Sequence, residues 1–177
     1  MLKKILIILF IFCELTKLYA EEIPVIVISP SNKPQSISTV GTSVTVYDED
    51  FFENSTDYFL GDALGDSTTG YNFFQNGGAG TESAIQLRGL PKRYSTVYID
   101  GVKMSDPSNV SNDFNFNHIL TNSISRVEIL KGNQSSVYGS GAIAGAINIT
   151  TKKGKQGFHK DLSYNTGSYG THNLAGA

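Results

Sequence analysis

Apolar and polar residues alternate in short runs along most of the chain. Val44 and Val46 alternate with Ser43, Thr45 and Tyr47; residues 84–88 repeat the pattern; Val97 and Ile99 share one face of "YSTVYIDGV". "SISRVEILKG" and "AGAINITTK" continue it. A period of two predicts half-buried β-strands. Between residues 48 and 65 the period changes. Tyr58, Phe59, Ala63 and Leu64 recur at helical spacing, Asn54 and Ser55 offer a cap, and Gly61 weakens the helix. "GYNFF" leads into a glycine-rich turn at 77–80, Asp100 and Gly101 form a hairpin signal, and residues 105–117 read as a polar loop. Short strands mixed with helix over residues 42–155 predict one α+β domain with a small mixed sheet. Its core is expected from Val44, Val46, Ile85, Leu87, Val97, Ile99, Val127, Ile129, Ile147 and Ile149.

Both ends of the chain break from this pattern. Lys3 and Lys4 precede the apolar run "ILIILFIFC", and "LYA" ends at Ala20. Residues 1–20 therefore read as a secretory signal peptide, too short in its apolar part to span a bilayer. The only cysteine, Cys13, lies inside it, so no disulfide is expected in the exported chain. Residues 21–41 hold the β-forming run Val25, Ile26, Val27 and Ile28, bracketed by Pro24, Pro30 and Pro34. A short extended segment on a polar, proline-containing tether suits addition to another protein's sheet edge, although an ordinary first strand of the domain would read the same way. At the other end, over residues 156–177, Phe158, Lys160, Leu162, Tyr164 and Thr166 alternate with polar neighbours before a "GSYG" turn and a second run. That is the pattern of outer-membrane β-barrel strands, and an amphipathic soluble hairpin would share it.

Composition narrows the chemistry. The formal net charge of the whole chain is -2, with 14 Lys and Arg against 16 Asp and Glu and no basic stripe, which argues against nucleic acid. The 78–83 stretch fails as a dinucleotide fingerprint because Ser83 stands where glycine is needed, and a strand follows where a phosphate loop needs a helix. His118, His159 and His172 are scattered, so no metal site is indicated, and no serine sits in a nucleophile elbow. Neither an enzyme nor a cofactor is expected. Arg88, Asp100, Arg126 and Glu128 remain on or beside strands, where they read either as edge decoration or as partners of charges on a surrounding wall.

Two stretches, "QNGGAGTESAIQLRGLPKRYSTVYIDGVKMSD" and "ISRVEILKGNQSSVYGSGAIAGAINITTKKG", resemble the plug domain of TonB-dependent outer-membrane receptors, with cobalamin and siderophore transporters the nearest in feel. The resemblance runs from about residue 21 to 177 in matching order. It implies a plug inside a barrel of about 22 strands, with ligand on the extracellular side. It further implies a nutrient receptor opened by TonB, whose C-terminal domain would bind a box at Pro24, Val25, Ile26, Val27, Ile28 and Ser29. Asn76, Gly77, Gly78, Ser105, Asp106 and Asn109 would lie nearest the small-molecule ligand, a cobalamin or a metal chelate. Arg88 and Lys131 would face acidic residues of the barrel wall. The chain departs from the family's usual Arg-Gly-Pro at Lys131, Gly132 and Asn133, and a lysine keeps the charge while losing the bidentate fork. Residues 156–177 could supply only the first one or two strands of the barrel, so the resemblance implies a fragment, a truncated reading frame or part of a split receptor; a free periplasmic binding or adaptor module is the alternative. The leader is testable on its own. Material recovered from the periplasm of a Gram-negative host should begin at Glu21 by intact mass, and retention of Met1 or Lys3 would contradict export.

Overall fold

Strand β8 (Ile124–Lys131) is buried along nearly all its length, on both of its faces. Such a strand must sit inside a sheet, and it does. The computed structural model describes residues 26–27, 35–37, 40–65, 70–78, 80–108, 114–154, 160 and 162–176. In chain order its strands are β1 (Ile26–Val27), β2 (Gln35–Ser36), β3 (Ser43–Tyr47), β4 (Tyr71–Gln75), β5 (Ser83–Leu87), β6 (Ser95–Ile99), β7 (Val102–Met104), β8, β9 (Gly145–Thr151), β10 (Leu162–Thr166) and β11 (His172–Gly176). Among the described residues three short α-helices accompany them: α1 (Glu49–Asn54), α2 (Leu60–Gly65) and α3 (Ser135–Tyr138). Five strands form a mixed sheet in the order β3-β8-β9-β6-β7, in which β6 and β9 run parallel and the other pairs antiparallel. The fold is α+β, as the alternation predicted.

One face of this sheet carries the core. Val97, Val127, Ile129, Ile147 and Ile149 pack there against Leu60, Leu64, Ile85, Leu87 and Phe116 from α2, the β4–β5 hairpin and the turn at 116–118. Val44 and Val46 were expected in that core and are only half-buried. Register explains the difference: they pair with Leu130 and Glu128, whose side chains leave the opposite face, while Tyr47 pairs with Val127 and packs on the core.

The single helix expected over 48–65 is two. Asp48, not Asn54 or Ser55, caps α1, accepting the Phe51 amide at 3.2 Å. Asn54 bonds back to the Asp50 carbonyl at 2.7 Å, and Ser55 is extended. A bridge between Phe59 and Leu120 and a bond from the Thr121 amide to the Tyr58 carbonyl then hold the chain out of helical form until Leu60. In α2 the glycine that weakened the helix serves packing. A Cβ at Gly61 would lie 2.6 Å from the Phe73 ring, so only glycine lets β4 close onto α2.

The opposite face holds the charges. Glu128 is 2% exposed, and Arg126, two residues along the same strand, places Nε 2.9 Å from its Oε1. Asp100 at the β6–β7 turn accepts the Thr151 amide at 3.0 Å and its hydroxyl at 2.6 Å. Three of the four charges weighed in the sequence therefore find partners inside the domain. Truncating Arg126 removes the cation beside a buried carboxylate. Arg126→Met should destabilise the chain by on the order of 2 kcal/mol, less than the ~3–5 kcal/mol of a fully buried pair because Arg126 is partly exposed. The double variant Arg126→Met/Glu128→Gln should recover part of that loss in urea unfolding.

Candidate functional site

Two surface regions carry several of the candidate residues. The first lies at the end of the sheet where β8 stops. Arg88 and Gly89 form a tight turn after β5, both with positive φ (53° and 72°), closed by the Leu90 amide on the Leu87 carbonyl at 3.0 Å. This turn aims the Arg88 guanidinium across Gly132, where a Cβ would meet Nη1 at 3.3 Å. Gly132 (φ 121°) is thus required both by its backbone and by the guanidinium above it. The preceding residue, Lys131, is buried and places its Nζ 3.0 Å from where a Gly70 Cβ would stand. The resemblance named Arg88 and Lys131 as two cations facing the same wall; the fold makes them neighbours, close enough for their charges to repel. Burial, and then the neighbouring Arg88 charge, hold the Lys131 ammonium below the ordinary lysine pKa.

The second region is the β4–β5 hairpin loop. Asn76, Gly77 and Gly78 are exposed, as expected of a surface turn. Their backbone is tied down. The Gly78 carbonyl accepts from Gln75 Nε2 at 2.6 Å, from the Thr81 hydroxyl at 2.8 Å and from the Thr81 amide at 3.2 Å. Asn76 Nδ2 donates to Glu82 Oε2 at 3.1 Å, and Lys92 Nζ lies 2.6 Å from Glu82 Oε1. The hydrogen bond and charge of Lys92 hold the Glu82 carboxyl below its ordinary range.

Ser105 and Asp106 are exposed just beyond β7. Asp106 Oδ1 accepts the Ser108 amide at 2.9 Å and its hydroxyl at 2.6 Å, a local turn that lowers the Asp106 pKa. Asn109 lies outside the described residues, as do Pro24, Val25, Ile28, Ser29 and the leader at 1–20. Ile26 and Val27 are extended and pair with Ser36 and Gln35. The polar loop of 105–117 ends differently from expectation: Phe116 is 2% and Asn117 8% exposed. Asn115 accepts the Ser83 amide at 3.0 Å, and Asn117 donates to the Gly80 carbonyl at 2.8 Å, so the loop's far end is fastened to the glycine turn. Sequence reading passed over both asparagines; the pattern F-N-F-N, with aromatics at every second position, was the available signal.

Comparison with known proteins shows the family of the domain that carries these residues. The sequence model described as TonB-dependent Receptor Plug Domain matches residues 36–146. The chain belongs to this family. A curated relative, the Vitamin B12 transporter BtuB of Vibrio vulnificus (strain CMCP6), is 30% identical over 154 residues, which is 85% of this chain and 25% of that protein. The chain thus spans about a quarter of that relative's length. Among solved structures, the FpvAI–pyocin S2 complex superposes with a TM-score of 0.68 at 18% identity, covering 84% of this chain and 18% of that one. The siderophore receptor PiuA from Acinetobacter baumannii gives 0.61 at 25% identity, covering 79% and 18%. The plug family is one of receptors, and the small mixed sheet with few short helices is its fold.

The depressed Lys131 pKa has a signed consequence. The unfolded lysine binds its proton more tightly, so the penalty is fully present below the folded-state pKa. It disappears as pH rises through that value towards the ordinary 10.5. Lys131→Met should raise the urea midpoint at neutral pH and flatten the rise in stability just below pH 10.5, read from unfolding curves across that range.

Proposed function

We propose that this chain is the plug portion of an outer-membrane receptor that takes up a scarce nutrient, a cobalamin or an iron–siderophore chelate, with energy delivered by TonB. The observation that carries the reading is the family match across 36–146, borne on the sheet and hairpin described above. The relative named a vitamin B12 transporter and the neighbour named a siderophore receptor supply the two ligand classes. Export through the leader, an N-terminus in the periplasm and residence in the outer membrane go with it, as does the division into 1–20, 21–41, 42–155 and 156–177. The chain is read as non-enzymatic and free of resident cofactors.

In this reading the box is Pro24, Val25, Ile26, Val27, Ile28 and Ser29. The extended backbone at Ile26 and Val27 supports it, since addition of a strand needs that conformation and one open edge. Among the described residues β2 is the strand that pairs with β1, along one edge. Asn76, Gly77, Gly78, Ser105, Asp106 and Asn109 are the ligand-facing positions. Arg88 and Lys131 meet carboxylates of a surrounding barrel, which would relieve the repulsion between the two cations and the desolvation of Lys131. The β10–β11 hairpin supports the barrel. Leu162, Tyr164 and Leu174 line one face of it and are strongly exposed, an apolar stripe suited to lipid contact.

The box is testable by calorimetry with a TonB C-terminal domain. Ile26→Pro removes a backbone donor and should cost on the order of 2–3 kcal/mol, roughly a 30- to 160-fold weaker Kd. Val27→Thr should change Kd less than about threefold, because backbone pairing tolerates side-chain change. Equal losses from both would contradict strand addition.

A further inference from the structure

Two dipeptides in the chain carry the same latent chemistry. Asn76–Gly77 is the one Asn-Gly pair in the sequence, and Asp100–Gly101 the one Asp-Gly pair. In each, the glycine's backbone nitrogen can close a succinimide ring on the side-chain carbonyl of the residue before it. No side chain on the glycine shields that nitrogen or narrows the backbone's range. Sequence alone does not separate the two sites, and the fold does.

At Asp100 the route is closed. One carboxylate oxygen accepts the Thr151 amide at 3.0 Å and the other accepts its hydroxyl at 2.6 Å. The hydroxyl first, and then the amide, hold the carboxyl below its ordinary range and so in its ionised form. An anion is a poor electrophile. The Asp100 backbone is also fixed, its amide donating to the Ile149 carbonyl at 2.9 Å.

At Asn76 the route is open. Asn76, Gly77 and Gly78 are all exposed. The turn is held on either side of the peptide that would react. The Asn76 amide donates to the Glu82 carbonyl at 3.0 Å, and the bonds from Gln75 and Thr81 gather on the Gly78 carbonyl. Between these points the Gly77 amide donates to no acceptor among the described residues. The Asn76 side chain is bound through Nδ2, at 3.1 Å from Glu82 Oε2. That contact engages the leaving group and not the carbonyl under attack.

We propose that Asn76 is a site of spontaneous covalent modification, at which Gly77 converts the side-chain amide to a carboxylate. The Gly77 nitrogen gives its proton to solvent base and bonds to Asn76 Cγ. The Cγ–Nδ2 bond breaks, and Nδ2 takes up a proton and leaves as ammonia. Water then opens the succinimide at either carbonyl. Cleavage at Cγ gives aspartate; cleavage at the main-chain carbonyl gives isoaspartate, with an extra methylene in the backbone. Water is the only reagent consumed, and nothing is oxidised or reduced. The product places a second carboxylate beside Glu82, so two anions share Lys92, whose Nζ lies 2.6 Å from Glu82 Oε1. The isoaspartate form also lengthens the chain between the Asn76 amide and the Gly78 carbonyl, the two points at which the turn is held. The site stands whether or not the chain is part of a receptor; under that reading it changes a ligand-facing position.

Incubation of the full chain in mildly alkaline buffer, followed by peptide mapping, tests the assignment. The peptide holding Asn76 should gain the mass of NH2 replaced by OH, and enzymatic carboxyl methylation should label its isoaspartate fraction. Gly77→Ala, which shields the nitrogen, and Asn76→Gln, which would need a larger ring, should each slow the change at least about tenfold. Folded chain should convert at Asn76 within about tenfold of the rate in urea, whereas Asp100 should isomerise in urea alone. Conversion of Asn76 in urea but not in the folded chain would overturn the proposal. So would folded-state isomerisation of Asp100 as fast as conversion of Asn76, or a rate at Asn76 that Gly77→Ala leaves unchanged.

Discussion

The double-sided burial of β8 is the constraint on which the rest of the domain depends. A strand covered on both faces needs a neighbour on each edge, and β3 and β9 supply them. Its core face is filled by Ile124, Val127 and Ile129. Its other face holds Leu130 and the carboxylate of Glu128, both almost completely buried. A buried carboxylate cannot be left alone, and its strand neighbour Arg126 brings charge from the partly exposed margin. Register then spreads outward: β8 sets which side of β3 meets the core, and β9 aligns β6 in parallel. Where β8 ends, Lys131 is still buried, and Gly132 opens the space into which Arg88 extends. The cationic corner is therefore a consequence of how far the central strand runs.

The β4–β5 hairpin is a separate two-stranded sheet laid over that core. A two-stranded ribbon alone is marginal, so it needs support from elsewhere. Below, Leu87 enters the core, and Gly61 allows Phe73 to seat on α2. Above, the asparagines at 115 and 117 hold its turn. The hairpin's lower end delivers Arg88 to Gly132 and its upper end delivers the glycine turn to the loop. One element thus connects the two candidate regions, and its few backbone bonds to the rest of the domain pass through side chains.

Much of this was legible in the chain. Alternation located β3, β5, β6, β8 and β9 because a period of two survives any topology. Asp100 and Gly101 both take positive φ, as the turn signal required. What failed needed tertiary information. Val44 and Val46 outrank Thr45 and Tyr47 in hydrophobicity, yet pairing with β8 turns the Thr and Tyr side inward. Residues 48–65 have helical spacing, but the Phe59–Leu120 bridge joins residues 61 positions apart and no local pattern announces it. Arg88 and Lys131 were recognised as cations; that they share one corner follows from the β5 turn meeting the end of β8. The asparagines were hidden by their company, since a Ser/Asn/Asp-rich stretch reads as solvated loop until its aromatics are found buried.

The same alternation has opposite outcomes in two parts of the chain, and the contrast shows what alternation alone determines. In β8 and β9 the apolar positions are sealed beneath α2 and the hairpin. In β10 and β11 the register is as regular, from Leu162 opposite Gly176 to Thr166 opposite His172, yet Leu162 is 78% and Leu174 72% exposed. There Tyr164 bonds His172 Nδ1 at 2.9 Å, with the two rings stacked, so cross-strand side-chain contacts hold the ribbon without any layer over it among the described residues. Period fixes which side chains share a face; whether that face is buried depends on a second layer that sequence spacing does not encode. A plug sheet folds against its own helices. An exposed apolar ribbon must take its cover from outside itself.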